Sequence, residues 1–157
     1  MQIYDLIIVG AGSGNMIPVP EMENWRLAIV EPDKFGGTCL NRGCIPSKML
    51  LYPAEVVETA RHAAKLGVHH TLDRVDWQHI VARVWQKIDP IAETGAAYRQ
   101  SQPHITVYDQ PARFVEPRVL QTGSHRITAD RIVLGAGARP VVPELPGLDT
   151  VPYHTTD

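Results

Sequence analysis

Cysteine is scarce in this 157-residue sequence: Cys39 and Cys44 are the only two. That sparsity excludes a small secreted scaffold stapled by several disulfides, and a reducing, cytoplasmic compartment is expected. Charge of one sign is also missing. The formal net charge of −2 leaves no broad basic field for nucleic acid or an anionic membrane, so neither is expected as a partner. No segment approaches the roughly 20 apolar residues of a bilayer span, and the opening run Ile3–Val9 reads as a strand rather than a secretory leader. Repeats and low-complexity stretches are absent. The length suits one domain with its own core and is too short for two, so composition points to a small-molecule ligand.

What is present has a clear order. Leu6–Val9 and Leu27–Val30 are short apolar runs, as strands buried on both faces of a parallel sheet should be. The pattern is helical from Pro46 to about Leu66, and again from Val75 to about Arg99. In the second stretch Trp77, Ile80, Val84, Ile88 and Ile91 form one apolar stripe. Strand-like runs follow at Ile105–Tyr108, Ala112–Glu116, Val119–Thr122 and Arg126–Thr128, with Gly123-Ser124 as a hairpin turn. A last strand, Arg131–Leu134, enters Gly135-Ala136-Gly137. The expected fold is α/β: a Rossmann-like domain with a parallel sheet, a helical middle and an antiparallel β-meander. Pro140, Pro143, Pro146 and Pro152 mark residues 140–157 as an exit linker.

Gly10-Ala11-Gly12-Ser13-Gly14 follows the first strand directly. A dinucleotide fold needs such a turn, free of Cβ atoms, so that backbone N–H groups can meet a pyrophosphate. Glu31 ends the second strand, about 20 residues past the turn, where a carboxylate can accept both hydroxyls of an adenosine ribose and repel a 2′-phosphate. Gly10, Gly12, Ser13, Gly14 and Glu31 are therefore candidate cofactor-binding residues. Asn15 occupies the third glycine position of the fingerprint, and Pro18 and Pro20 cannot sit inside a regular helix, so the first helix is expected to be short or irregular.

Cys39 and Cys44 lie in Gly36-Gly37-Thr38-Cys39-Leu40-Asn41-Arg42-Gly43-Cys44-Ile45-Pro46-Ser47-Lys48. The residues alone leave three readings open: a metal site, a structural disulfide or a redox pair. A metal needs two further ligands, which scattered histidines do not offer; His69, His70 and His154 are expected on surface loops. Residues five apart on a regular helix lie beyond the roughly 7 Å limit for a disulfide, so a bridge requires a distorted turn, which Gly43 and Pro46 are expected to supply. The positive helix start, Arg42 and Lys48 favour a thiolate.

The run from Gly36 to Lys48 resembles the active-site signature of the pyridine nucleotide–disulfide oxidoreductases. The Gly10–Gly14 turn, Glu31 and Gly135–Pro140 stand where that family contacts FAD. The resemblance implies an FAD-binding domain whose redox-active disulfide joins Cys39 and Cys44. Cys44 is then the thiol nearest the flavin, in charge-transfer contact with it, and Cys39 attacks the substrate disulfide. Lys48 is placed beside the reactive edge of the flavin. Gly37 and Thr38 contact the FAD phosphates or ribityl chain, Ala112 holds the adenine through its backbone, and Gly135, Ala136 and Gly137 return to the cofactor, with Ala136 where a threonine is common.

The resemblance further implies a small-molecule disulfide substrate, NADPH or NADH as electron donor, and a homodimeric full-length parent. In the family a nicotinamide-binding domain and a dimerisation domain with a histidine–glutamate pair follow this segment. No second glycine-rich fingerprint occurs here, so residues 1–157 are expected to be the N-terminal portion of an incomplete FAD-binding domain, unable to turn over alone. Within the family, Gly12-Ser13-Gly14-Asn15, Val75-Asp76-Trp77, Ile88-Asp89-Pro90-Ile91 and Tyr153–Asp157 are most similar to mycothione reductases, which use NADPH. The alternatives are an NAD-dependent dihydrolipoamide dehydrogenase and a non-catalytic FAD-binding or thiol-sensing module.

Overall fold

The computed structural model describes residues 1–156; Asp157, the last residue of the Tyr153–Asp157 run, lies outside them. Six strands form one sheet. In chain order they are β1 (Gln2–Val9), β2 (Leu27–Val30), β3 (Ile105–Tyr108), β4 (Ala112–Glu116), β5 (Val119–Thr122) and β6 (His125–Leu134), arranged β3-β2-β1-β6-β5-β4. β1 is parallel to both β2 and β6, and β2 to β3, while β4, β5 and β6 run antiparallel. The expected α/β architecture with a meander is what the chain adopts.

The apolar runs become strands because each has a covered surface on both sides. Side chains alternate across β1, so Leu6 and Ile8 join one cluster with Leu27, Ile29, Phe35 and Ile105. Ile7 joins another with Ala28, Val30, Leu120 and Ile127. Ile7, Ile8, Leu27 and Ile29 are fully buried, each worth about 1.5–3 kcal/mol of transfer free energy. The second face is closed by the meander. Tyr108 on the edge strand β3 packs its ring 5.4 Å from that of His125 at the start of β6. β1 and β2 separate those strands in the sheet, so the meander must curl back across the face.

Several boundaries differ from the sequence reading. Arg126–Thr128 and Arg131–Leu134 are not two strands but one, because β1 pairs with β6 from Gln2↔Ile127 to Val9↔Leu134 and carries it through Ala129-Asp130. A short helix α1 (Gly37–Asn41) was not foreseen; α2 spans Cys44–His62 and passes into a 3₁₀ turn at Ala63–Leu66. α3 is Trp77–Gln100, begun by Asp76, whose carboxylate accepts the His79 N–H at 2.9 Å. Its buried line is Val84, Ile88 and Ala92. Trp77 and Ile91, assigned to the stripe by spacing, are 60% and 46% exposed. The segment after Gly14 is a four-residue 3₁₀ turn, Ser13–Met16, with another at Pro20–Met22. His69, His70 and His154 are exposed, and beyond β6 one 3₁₀ turn, Leu148–Thr150, interrupts an otherwise irregular segment.

In the core cluster on the meander side of the sheet, the hydroxyls of Tyr4 and Tyr108 share a 2.7 Å hydrogen bond, and Tyr108 also donates to Gln2 Oε1. Burial, then the Tyr4 hydroxyl, raise the Tyr108 pKa above its ordinary value. Folding thus favours the protonated phenol. The stability it contributes is intact below about pH 10 and is lost as pH rises from there through the raised folded value. Tyr108→Phe should cost about 1 kcal/mol at neutral pH in urea unfolding, and the gap to wild type should narrow above about pH 10. A gap constant with pH would show that this phenol does not titrate differently in the folded state.

Candidate functional site

Three segments meet beyond the carboxyl ends of β1, β2 and β6, the place where open α/β sheets bind ligands. Gly10 leaves β1 with φ +104°, and a Cβ there would lie 2.2 Å from the carbonyl oxygen of Gly135, which follows β6. A Cβ on Gly37 (φ +60°) would lie 2.6 Å from Cα of Gly12. Neither contact tolerates a side chain. The backbones therefore close into a floor, above which lies a cavity of about 760 Å³, within the range of cofactor sites.

Gly10, Gly12, Ser13, Glu31, Gly37, Thr38, Cys39, Cys44, Ala112, Gly135, Ala136 and Gly137 all line this one cavity. Two candidates do not. Gly14 is buried below the turn, where a Cβ would meet Ile8 Cγ2 at 2.8 Å, so its glycine serves packing against β1. Lys48 is exposed on α2, one turn past Cys44. The Glu31 carboxylate is held at both oxygens: Oε2 accepts the Ala11 N–H at 2.8 Å and Oε1 the Asp33 N–H at 3.0 Å. Each oxygen retains capacity for a second donor, so the pair can still receive two ribose hydroxyls.

The cysteines sit on two helices rather than one. Cys39 is inside α1, Cys44 is the first residue of α2, and Gly43 (φ −129°, ψ −115°) turns the chain between them. A Cβ on Gly43 would come 2.9 Å from the Thr38 carbonyl oxygen, so glycine permits the helices to approach. Pro46 plays no part in that distortion, contrary to the sequence reading. It is buried in the first turn of α2, where the missing N–H has no intrahelical partner, and Ser47 N–H makes the first helical bond to Gly43 O at 3.0 Å.

Both thiols are free and exposed. The Cys39 pKa is raised, first by its hydrogen bond with the Cys44 side chain and then by desolvation; Lys48 acts the other way. Arg42 and Lys48 were expected to favour a thiolate; at Cys39 the Lys48 effect is outweighed by the neighbouring Cys44 thiol, and the Arg42 guanidinium is paired with Asp33.

Sequence reasoning missed Asn41, although it stands inside the signature. It is 8% exposed and lines the cavity. Its Nδ2 donates to the carbonyls of Phe35 and Gly37 at 3.0 and 3.1 Å, fixing the start of α1. Among the described residues its Oδ1 is buried without a hydrogen-bond partner, an acceptor that a bound cofactor could satisfy. Together the side-chain-free floor, the held carboxylate and this acceptor fit a dinucleotide. Among the described residues no group of His, Cys, Asp or Glu is arranged to hold a metal, and no helix is long and apolar enough to cross a membrane. Cys44→Ala should lower the Cys39 pKa, read as iodoacetamide alkylation that reaches its maximum at lower pH. An unchanged alkylation profile would refute the coupling.

A family model described as pyridine nucleotide-disulphide oxidoreductase matches residues 4–157. The mycothione reductase of Mycobacterium tuberculosis is 44% identical over 163 residues, which cover 100% of this chain and 36% of that protein. A dihydrolipoyl dehydrogenase of Bacillus subtilis is 32% identical, covering 93% of this chain and 33% of the relative. In structure, the HOCl-induced flavoprotein disulfide reductase RclA from Escherichia coli superimposes with a TM-score of 0.76 at 27% identity, over 95% of this chain and 32% of that one. The chain thus spans about a third of the length of the relatives it matches. It belongs to the pyridine nucleotide-disulphide oxidoreductases.

Proposed function

We propose that this chain is the FAD-binding, thiol-bearing segment of an NADPH-dependent flavoprotein disulfide reductase acting on a small-molecule disulfide of the mycothiol type. The observation that carries it is the contact of Gly12 with Gly37, which sets the phosphate turn against the helix that bears Cys39. One cavity thereby joins a ribose-binding carboxylate to a dithiol. The substrate class rests on the 44% identity to a mycothione reductase, against 32% to a dihydrolipoyl dehydrogenase.

In this reading Glu31 orients the adenosine end, Gly12 and Gly37 leave room for the pyrophosphate, and Ala112 and the Gly135–Gly137 backbone border the remainder. FAD, when bound, supplies two-electron transfer between a nicotinamide and the cysteine pair. The Cys39 thiolate attacks one sulfur of the substrate disulfide, forming a mixed disulfide and releasing one thiol. Cys44 then attacks Cys39, closing the Cys39–Cys44 disulfide and releasing the second thiol. Two electrons and two protons restore the dithiol, so one disulfide becomes two thiols per NADPH oxidised. Lys48, on the helix that begins with Cys44, favours the thiolate by its charge.

In the full-length, FAD-loaded protein, two-electron reduction should produce a long-wavelength thiolate-to-flavin absorption band. Cys44→Ser should remove the band. Cys39→Ser should retain it and lower disulfide reduction by more than about a hundredfold, as expected for loss of a covalent nucleophile. A reduced, FAD-loaded protein without the band would defeat the proposal, and faster turnover of dihydrolipoamide with NAD+ would reassign the substrate.

A further inference from the structure

The phosphate turn lacks the element that normally follows it. In a dinucleotide fold a helix begins at the turn and directs about half a positive charge at the pyrophosphate. Here the segment after Gly12 is the four-residue 3₁₀ turn Ser13–Met16, without a side-chain cap. Its hydrogen bonds are Asn15 N–H to Gly12 O and Ile17 N–H to Gly14 O, each 3.1 Å. Pro18 and Pro20 prevent its extension. So few aligned peptides cannot build a helix dipole of ordinary size.

A cation takes that place from a distant part of the chain. Arg99, in the last turn of α3, donates from Nε to Asn15 Oδ1 at 2.8 Å and from Nη2 to the Asn15 carbonyl oxygen at 2.6 Å. Both bonds are partly buried and join residues 84 apart in sequence. Both acceptors are neutral, so these contacts hold the guanidinium without cancelling its charge. Asn15 is the residue that replaces the third fingerprint glycine. A glycine could offer only its carbonyl, whereas asparagine offers both acceptors of the fork.

We propose that Arg99, seated on Asn15, is a positioning residue for the dinucleotide pyrophosphate. It fixes the glycine turn and supplies from behind it the positive potential that the shortened helix cannot. The inference rests on the FAD-binding reading above and adds to it a specific electrostatic device. Asn15→Gly should then weaken binding although it restores the fingerprint, because it removes one half of the seat.

The test is binding of FAD, ADP and adenosine to this chain. Arg99→Gln keeps an amide donor and removes the charge. It should weaken FAD and ADP by about five- to tenfold at low salt, in line with a terminal helix charge, leave adenosine unchanged, and flatten the salt dependence of ADP binding. Arg99→Lys should retain the salt dependence with part of the affinity. Asn15→Gly should weaken ADP in the wild-type background and add nothing to Arg99→Gln. Equal loss for ADP and adenosine, or no loss for either, would overturn the inference. If Arg99→Gln fails to fold, Arg99→Lys and Asn15→Gly carry the same comparison. A wild-type chain that binds neither FAD nor ADP overturns the FAD-binding reading and this inference with it.

Discussion

Gly12 and Gly37 approach so closely that a Cβ on the second would sit 2.6 Å from the backbone of the first. Most of the site follows from that one contact. It brings the turn after β1 against the segment after β2, so the thiol helix α1 begins at the edge of the glycine-rich turn. Gly36, with φ +103°, makes the entry possible and donates its N–H to Ala11 O at 3.0 Å. Gly10 against Gly135 repeats the arrangement on the other side of β1. Any larger residue at these points would push the strand ends apart and separate the carboxylate of Glu31 from the cysteines.

Legibility from sequence tracked how local the determining physics was. β1 and β2 were readable because an unbroken apolar run bounded by glycine has few other uses in a parallel sheet. β6 was misread as two strands: its interior Ala129-Asp130 carries a break signal, and the pairing that overrides it comes from β1, more than a hundred residues earlier. The α3 stripe was right at Val84 and Ile88, which are buried, and wrong at its ends, where Trp77 and Ile91 are exposed. Spacing admits Ile91 as readily as Ala92, and only the partner surface selects Ala92.

The cysteine pair shows the same limit in electrostatics. A sequence count places Arg42 and Lys48 near the thiols and predicts a depressed pKa. In the folded chain the Arg42 charge is paired with Asp33, and the Cys44 side chain acts on Cys39 more strongly than Lys48 does. Charge counted along a chain and charge felt at an atom differ whenever a counter-ion comes from another element. Arg99 is the converse case, a cation remote in sequence that reaches the glycine turn.

These features divide the site into a firm half and a softer one. The glycine-floored half is fixed by fully buried strands and by backbone bonds of 2.7 Å from Gly135 N–H to Val9 O and 2.8 Å from Gly10 N–H to Val30 O. The thiol half stands on α1, five residues held by the amide of Asn41, and on α2, where Pro46 is the only buried residue among the described ones. A helix that buries so little gains little from this sheet. The approach of the two cysteine-bearing helices is therefore set at Gly43, where a Cβ would lie 2.9 Å from the Thr38 carbonyl oxygen, more than by packing.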